Sequence, residues 1–415
     1  MKLGLAAIDG LCERLGRPER QVPAVLVAGT NGKGSVAAML SAIAAAGGVR
    51  AGLYTSPHLI RVGERIRAGE SDLSDEELDR VLEPVLRAAE ASPEIPVTYF
   101  EALTAAAFLA FAERRLDLAL VEVGLGGRFD ATNIASAKLS VVTSIGLDHT
   151  EELGPTLSSI SREKAGIFRF GRPALVGARE PEARRVLVEA ARECGAVAHE
   201  AAEEIEVSHV ETSLEGTRLR VATPGARYVL ETPLPGAHQA GNAALAARAA
   251  ELLSPEFPGI DPEAIERGVA ATRWPGRLEK LSCRGVAVVL DGCHNPQAAL
   301  ALARFLEHAG LAGRARLVFA AMADKDVEEM AAQLFPAAAS VRLVRAPSPR
   351  AATVDELVRR TGAAAGRTAV ASETVEVALR DLLRDPDPTP IIVAGSLYLV
   401  GEARSLLLSR RLEDE

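Results

Sequence analysis

Cysteine is scarce in this chain of 415 residues: Cys12, Cys194, Cys283 and Cys293 are the only four, and no two share a C-x-x-C spacing. That excludes a disulfide-stapled fold and argues against a zinc site or redox pair; four reduced thiols in a cytoplasmic protein are expected. An excess of positive charge is also missing. Asp plus Glu number 56 against 47 Lys plus Arg, a net charge of −9. No basic surface is available to hold nucleic acid by its phosphates, so anionic ligands must be met by local positive sites. Long apolar runs are absent too. The most apolar, 104–111 and 116–123, fall far short of the ~20 residues of a spanning helix. No basic, apolar, small-residue order opens the chain, so neither a membrane span nor a signal peptide is expected. Lysine is the last scarcity: Lys2, Lys33, Lys138, Lys164, Lys280 and Lys325 are all there is, the other basic residues being arginine. In a chain so biased, a lysine persists where arginine cannot do the work: its compact charge and modifiable amine differ from a planar fork.

What is present is the make-up of a globular protein, 48% hydrophobic and 25% charged, long enough for two or three domains with sizeable cores. The run Ala24–Ala28 (AVLVA) reads as a strand, 29–35 (GTNGKGS) as a glycine turn and 36–46 as a helix. Two more strand-like runs, 116–123 and 139–145, lead into GLGGRFDATN (124–133) and GLDHTEEL (146–153), with amphipathic helical stretches at 74–91 and 100–115 between. Strands alternating with helices predict a parallel sheet covered on both faces, with chemistry at the C-terminal strand ends. Residues 201–233 alternate in short pieces and read as a small antiparallel insertion. TRWPGR, 272–277, reads as a hinge or linker, and beyond it a second strand–helix series begins. The predicted fold is α/β: a large P-loop-containing parallel-sheet domain, 1–272, followed by a smaller doubly wound, Rossmann-like domain, 273–415.

Several loops carry chemistry. In GTNGKGS the glycines let backbone N–H groups approach phosphates, the helix N-terminus adds positive potential, Lys33 reaches β/γ-phosphates, and Ser35 offers a hydroxyl. The pattern departs from G-x-x-x-x-G-K-[ST], since Val27 stands at the first glycine and Gly34 separates Lys33 from Ser35. A ligand-free glycine turn is the alternative, and the strand before with the helix after favours nucleotide. YTSPHL (54–59) presents Ser56 and His58 on a loop stiffened by Pro57. Glu122, at a strand end, suits a phosphate-bound Mg²⁺ or a capped strand equally. Asp148 and His149 follow another strand end. Lys164 in REKAGI (162–167) reads locally as a surface helix end. DGCHNP (291–296) offers Asp291 and His294, or an N-cap turn built on Asn295.

Together GTNGKGS, YTSPHL, VEVGLGGRFDATN, GLDHTEELG, REKAGI, PGAHQAGNAALA, RWPGRLE, DGCHNP, MADKD and GSLYLVGEAR run in one order over nearly the whole chain. This set resembles the folylpolyglutamate synthase family, often bifunctional with dihydrofolate synthase, within the Mur ligase superfamily. The KLGL segment at 2–5 resembles a family segment near the pteroate; relatives usually carry residues upstream, so the N-terminus is expected to be short. The resemblance implies that Thr30, Asn31, Gly32, Lys33, Gly34 and Ser35 hold ATP phosphates, and that Asn242, Arg277, Asp291 and His294 also contact the nucleotide. It implies Ser56, Glu122, His149 and Lys164 as ligands for one or two Mg²⁺, direct or through water, with Lys164 carboxylated on its amine. Lys33, Lys164 and His149 would be the catalytic set. Thr98, Tyr99, Phe100 and Glu101, with Phe129, Asp130 and Ala131, would line the dihydropteroate or folate pocket. Ala68–Gly69 departs from a usual Asn-Gly, and Cys293 from a usual Ala.

The activity so implied is ATP-dependent amide formation. A carboxylate attacks the γ-phosphate of ATP, and the amine of L-glutamate attacks the acyl phosphate. Expected partners are ATP, L-glutamate, and dihydropteroate or reduced folates, with neither nucleic acid nor membrane, in a monomer. A monofunctional folylpolyglutamate synthase and a cell-wall Mur ligase are the alternatives; against the latter, no extra N-terminal domain for a UDP group is evident.

Overall fold

The computed structural model describes residues 4–365, 369–385, 387–409, 411 and 412. Lys2 and Leu3 of the KLGL segment lie outside them. The chain divides into two compact units: Met1–His209, Leu219–Glu231 and Gly241–Thr272 form one, and Val210–Arg218, Thr232–Ala240 and Arg273–Glu415 form the other.

The first unit holds a seven-stranded sheet of β1 (Ala24–Ala28), β2 (Ala51–Tyr54), β3 (Ile66–Ala68), β4 (Leu118–Glu122), β5 (Ala137–Val142), β6 (Pro173–Val176) and β7 (Val197–Glu200). Its order is β3-β2-β4-β1-β5-β6-β7. Only β3 runs antiparallel to its neighbour. β1 and β4 are buried along their whole length, which is why they read as unbroken apolar runs. Register sets the working rim. Val27 pairs with Glu122, Ala28 with Val142 and Tyr54 with Val121. Four adjacent strands therefore finish nearly level, and the loops after β2, β4, β1 and β5 emerge side by side.

The helices that place those loops have local causes. Lys33–Ala46 starts at Gly32 in the left-handed region and packs on Pro262–Ala271, where Gly268 admits the backbone of Ile43. Asp75–Glu90 and Tyr99–Glu113 each begin with a capping box, Ser74 with Glu77 and Thr98 with Glu101. Within 146–153, which reads as loop in the sequence, Thr150–Leu153 forms one helical turn.

A three-stranded sheet joins β8 (Glu206–Ser213), β9 (Gly216–Ala222) and β10 (Arg227–Thr232) in that sequence. Its alternation of buried and exposed residues in β9 and β10 is that of a sheet wetted on one face. The second unit carries a six-stranded sheet of β11 (Glu279–Cys283), β12 (Val286–Asp291), β13 (Arg316–Phe319), β14 (Ser340–Leu343), β15 (Ala369–Ala371) and β16 (Ile391–Ala394), in order β11-β12-β16-β13-β14-β15. All pairings are parallel except β11 with β12. Thr368, where the sequence places the start of β15, lies outside the described residues. Both sheets are parallel-dominated and flanked by helices, as the α/β reading expects.

Candidate active site

The glycine turn after β1 is held against the end of β5. Thr30 Oγ1 accepts from Gly146 N at 3.0 Å and donates to Gly146 O at 3.1 Å. Asn31 N donates to Ser144 Oγ at 3.1 Å, while Asn31 O accepts from Thr143 Oγ1 at 2.7 Å and Ser144 Oγ at 2.9 Å. Gly29 has φ +150°, and a Cβ there would meet Thr143 Oγ1 at 1.9 Å. At Gly32, φ +87°, it would meet Asn242 Oδ1 at 2.6 Å. The helix Ala237–Leu253 thus brings Asn242 directly onto the turn. Gly34 and Ser35 lie buried in the first turn of Lys33–Ala46. Lys33 Nζ folds back onto Gly29 O and Thr30 O, 3.1 Å from each. These contacts are to neutral carbonyls, which a phosphate outcompetes for a cation.

Beside this loop, Glu122 closes β4 and is 6% exposed. Its Oε2 accepts from Ser56 N at 3.1 Å, so the loop after β2 is seated on the carboxylate at the end of β4. After β5, His149 takes a left-handed conformation (φ 52°) that turns the chain into Thr150–Leu153. Its ring stands 3.8 Å from Asp148 Oδ1 and 4.0 Å from Glu152 Oε2. Among the described residues no three His, Cys, Asp or Glu side chains gather closely enough to cage a metal.

Lys164 is no surface residue. It is 5% exposed near the end of Leu157–Ala165, and its side-chain amine makes no hydrogen bond or ion pair among the described residues. Burial first, and Lys33 second, push its amine down to about 7, against the opposing pull of Asp148 and Asp130. The loop after β4 locks this helix end: Arg128 N donates to Glu163 O at 2.9 Å, and Asn133 Nδ2 to Gly166 O at 3.1 Å.

The residues assigned to a pteroate pocket lie on the same unit. Phe100 packs 6.0 Å from the Tyr54 ring and against Gly124. Tyr99 and Phe129 are exposed, and Ala131 is buried. The polar members are engaged locally. Thr98 and Glu101 are the two halves of one capping box. Asp130 Oδ1 accepts from Thr132 N at 3.0 Å and Oδ2 from Leu125 N at 2.8 Å. Burial nevertheless raises the Asp130 carboxyl above its ordinary range. Sequence reasoning missed Thr143 and Ser144, which hold the glycine turn, and Arg65, which donates to His58 Nδ1 at 2.9 Å. No local motif singles these three out.

In the second unit, Asp291 ends β12 and organises the turn around it. Its Oδ2 accepts from Leu278 N at 3.1 Å and its Oδ1 from Cys293 N at 3.0 Å. Arg277 lies against Gly292, and His294 Nδ1 is 2.9 Å from Gly292 O. Asn295 caps the helix Pro296–His308. Glu279 holds Gly276 N at 3.0 Å and meets Arg404 Nε at 2.9 Å, which fixes the RWPGRLE turn.

A phosphate loop on a parallel sheet, with a second doubly wound sheet after it, is the build of the Mur ligases. Residues 27–250 match the Mur ligase middle domain, and 276–397 the Mur ligase glutamate ligase domain. The dihydrofolate synthase/folylpolyglutamate synthase of Bacillus subtilis is 33% identical over 98% of this chain and 95% of its own length. A structure of Mycobacterium tuberculosis folylpolyglutamate synthase complexed with ADP superposes with TM-score 0.90 at 34% identity, covering 97% of this chain and 94% of that one. FolC of Escherichia coli in complex with DHPP and ADP gives 0.89 at 33%, covering 99% and 94%. The chain belongs to the dihydrofolate synthase/folylpolyglutamate synthase family.

Proposed function

We propose that this protein joins L-glutamate to dihydropteroate, making dihydrofolate, and to reduced folates, extending their glutamate tail, with ATP as co-substrate. The substrate carboxylate attacks the γ-phosphorus of ATP, and the bond from that phosphorus to the ADP oxygen breaks. The free glutamate amine then attacks the acyl carbon of the resulting acyl phosphate, inorganic phosphate leaves, and the nitrogen gives up one of its two protons, keeping the other as the amide N–H. The obstacle in the first step is an anion approaching a polyanion.

The chain's residues address that obstacle. Lys33 moves from its carbonyl contacts to the phosphates, and the helix behind it presents its positive end. Asn31, Gly32 and Asn242 bound the phosphate turn. We assign Arg277, Asp291 and His294 to nucleotide contact. Mg²⁺ suits this donor set, because it takes one or two carboxylates and completes its shell with phosphate and water rather than a protein cage. Ser56, Glu122, His149 and Lys164 would hold it, and bound there it would neutralise charge on the transferring phosphate. A cationic Lys164 would repel the metal. A buried amine held near 7 is available in neutral form to add CO₂, releasing a proton and becoming an anionic carbamate.

No helix among the described residues is long and apolar enough to cross a membrane. We place the enzyme in the cytoplasm, which agrees with four cysteines that form no disulfide among the described residues.

The observation that carries the proposal is the level rim: the phosphate turn, Ser56 on Glu122, and a buried, unpaired Lys164 share one sheet edge. Phosphate release from ATP, measured with glutamate plus dihydropteroate and separately with glutamate plus tetrahydrofolate, tests it. Glutamate-dependent turnover is expected with both, and its absence with both refutes the reading.

A further inference from the structure

Among the described residues, Arg65 is a largely buried cation without a counter-ion. It is 8% exposed, and buried guanidinium groups are ordinarily paired, because an uncompensated charge pays a heavy desolvation penalty. It ends the 3₁₀ turn Val62–Arg65, and its carbonyl accepts from Thr55 N at 3.0 Å, which pins it beside the end of β2. Its Nε donates to His58 Nδ1 at 2.9 Å, and its guanidinium carbon stands 5.5 Å from the centre of the Tyr99 ring. An imidazole nitrogen that accepts from arginine carries no proton, and an aromatic face takes up no N–H in the guanidinium plane. Neither contact supplies an anion. The two Nη groups make no hydrogen bond or ion pair among the described residues.

Nearby carboxylates are committed elsewhere. Glu64 accepts from the backbone N–H groups of Leu59 and Arg61 at 2.8 and 3.0 Å. Glu101 closes the Thr98 cap, and Asp130 holds Leu125 and Thr132. The arrangement is a planar fork, fixed by Nε and by a ring face, with its outer N–H pairs open. That geometry matches a bidentate carboxylate.

We infer that Arg65 binds the α-carboxylate of the terminal glutamyl residue of a folate substrate, a group the reaction does not consume. The inference rests on the ligase reading above. Ser56 N touches Glu122, where the Mg²⁺ on the transferring phosphate is assigned, and His58 follows two residues later. Thr55, the residue before Ser56, donates its N–H to Arg65 O, so Arg65 stands at the β2 end of that same rim. In glutamate a three-carbon spacer separates the reacting γ-carboxylate from the α-carboxylate. Pteroate has only the carboxylate that reacts. Arg65 therefore serves the tail-extending reaction and not the first glutamylation, and it sets the preference between the two substrates within one pocket.

The test compares three acceptors: tetrahydrofolate, dihydropteroate, and a tetrahydropteroyl-4-aminobutyrate that keeps the reacting carboxylate and lacks the α-carboxylate. Arg65→Met is expected to raise KM for tetrahydrofolate by at least about tenfold, the usual scale of a lost charge-assisted pair. Its KM for dihydropteroate stays near the wild-type value. The wild type uses the aminobutyrate analogue as poorly as Arg65→Met uses tetrahydrofolate, and the variant no longer tells these two apart. Arg65→Lys is intermediate. Equal losses on tetrahydrofolate and dihydropteroate overturn the assignment, as does a wild type indifferent to the α-carboxylate. The wild-type comparison and Arg65→Lys decide the matter if Arg65→Met unfolds. A wild type with no glutamate-dependent turnover on any acceptor overturns the ligase reading itself, a distinct failure.

Discussion

Gly127→Ala tests whether the loop after β4 sets the position of Lys164. A Cβ at Gly127 would lie 2.8 Å from Glu163 O and 2.9 Å from Lys164 O, against an ordinary contact of at least 3.4 Å. Both obstacles are backbone carbonyls, so no rotamer change relieves them. The same two segments are tied by Arg128 N to Glu163 O and by Asn133 Nδ2 to Gly166 O. The loop, or the end of Leu157–Ala165, has to move by about half an ångström, which in overpacked sites costs about 1–3 kcal/mol. The displaced backbone is that of Lys164 itself. Misplacing a catalytic group by ~1 Å costs about a hundredfold in rate, so a smaller shift should cost about tenfold. Gly126→Ala is the control. Its φ of +67° strains an alanine, but the nearest atom is the flexible end of Leu153 at 3.1 Å. About 1 kcal/mol of stability and little activity should be lost. Thermal unfolding and glutamate-dependent phosphate release read both effects. Wild-type rate and midpoint in Gly127→Ala, or a worse rate in Gly126→Ala, would refute the reasoning.

Lys33→Ala and Glu122→Ala should each abolish ligation while thermal unfolding moves little; turnover retained in both removes them from the chemistry. In metal-free protein the Lys164 amine near 7, against 10.5 when solvated, leaves the unfolded chain holding the extra proton between those values. Stability should therefore rise with pH across that window, and urea titrations at several pH values should show the slope vanish in Lys164→Leu. With isotope-labelled bicarbonate and Mg²⁺, a carbamate carbon resonance should appear in the wild type and be missing from Lys164→Ala. Asp130→Ala strips the acceptor from Leu125 N and Thr132 N, so the unfolding midpoint should fall, and dihydropteroate turnover should suffer more than tetrahydrofolate turnover. Equal kinetic losses would leave Asp130 a purely structural residue.

Much of the fold was legible because its signals are local. β1 reads as AVLVA between loops because both faces of its sheet are covered, and the glycines of GTNGKGS announce a turn whatever surrounds them. Lys164 was legible less directly. Scarcity of lysine marked it, whereas its immediate neighbours read as a surface helix end; only packing against 124–133 reveals that the amine is buried. The segment TYFE carries two readings at once. Thr98-x-x-Glu101 is a capping box on spacing alone, and the structure forms it, yet the resemblance drew attention to a substrate role for the same polar atoms. Arg65 was invisible because its charge becomes informative only after folding. GERI says nothing about burial, and the six residues after it include Glu70 and Asp72, which look like partners. In the fold Asp72 pairs with Arg67, and Arg65 turns inward between His58 and Tyr99. A side chain whose local partners are all engaged elsewhere acquires a role from what is missing around it, and sequence spacing carries no record of that vacancy in charge.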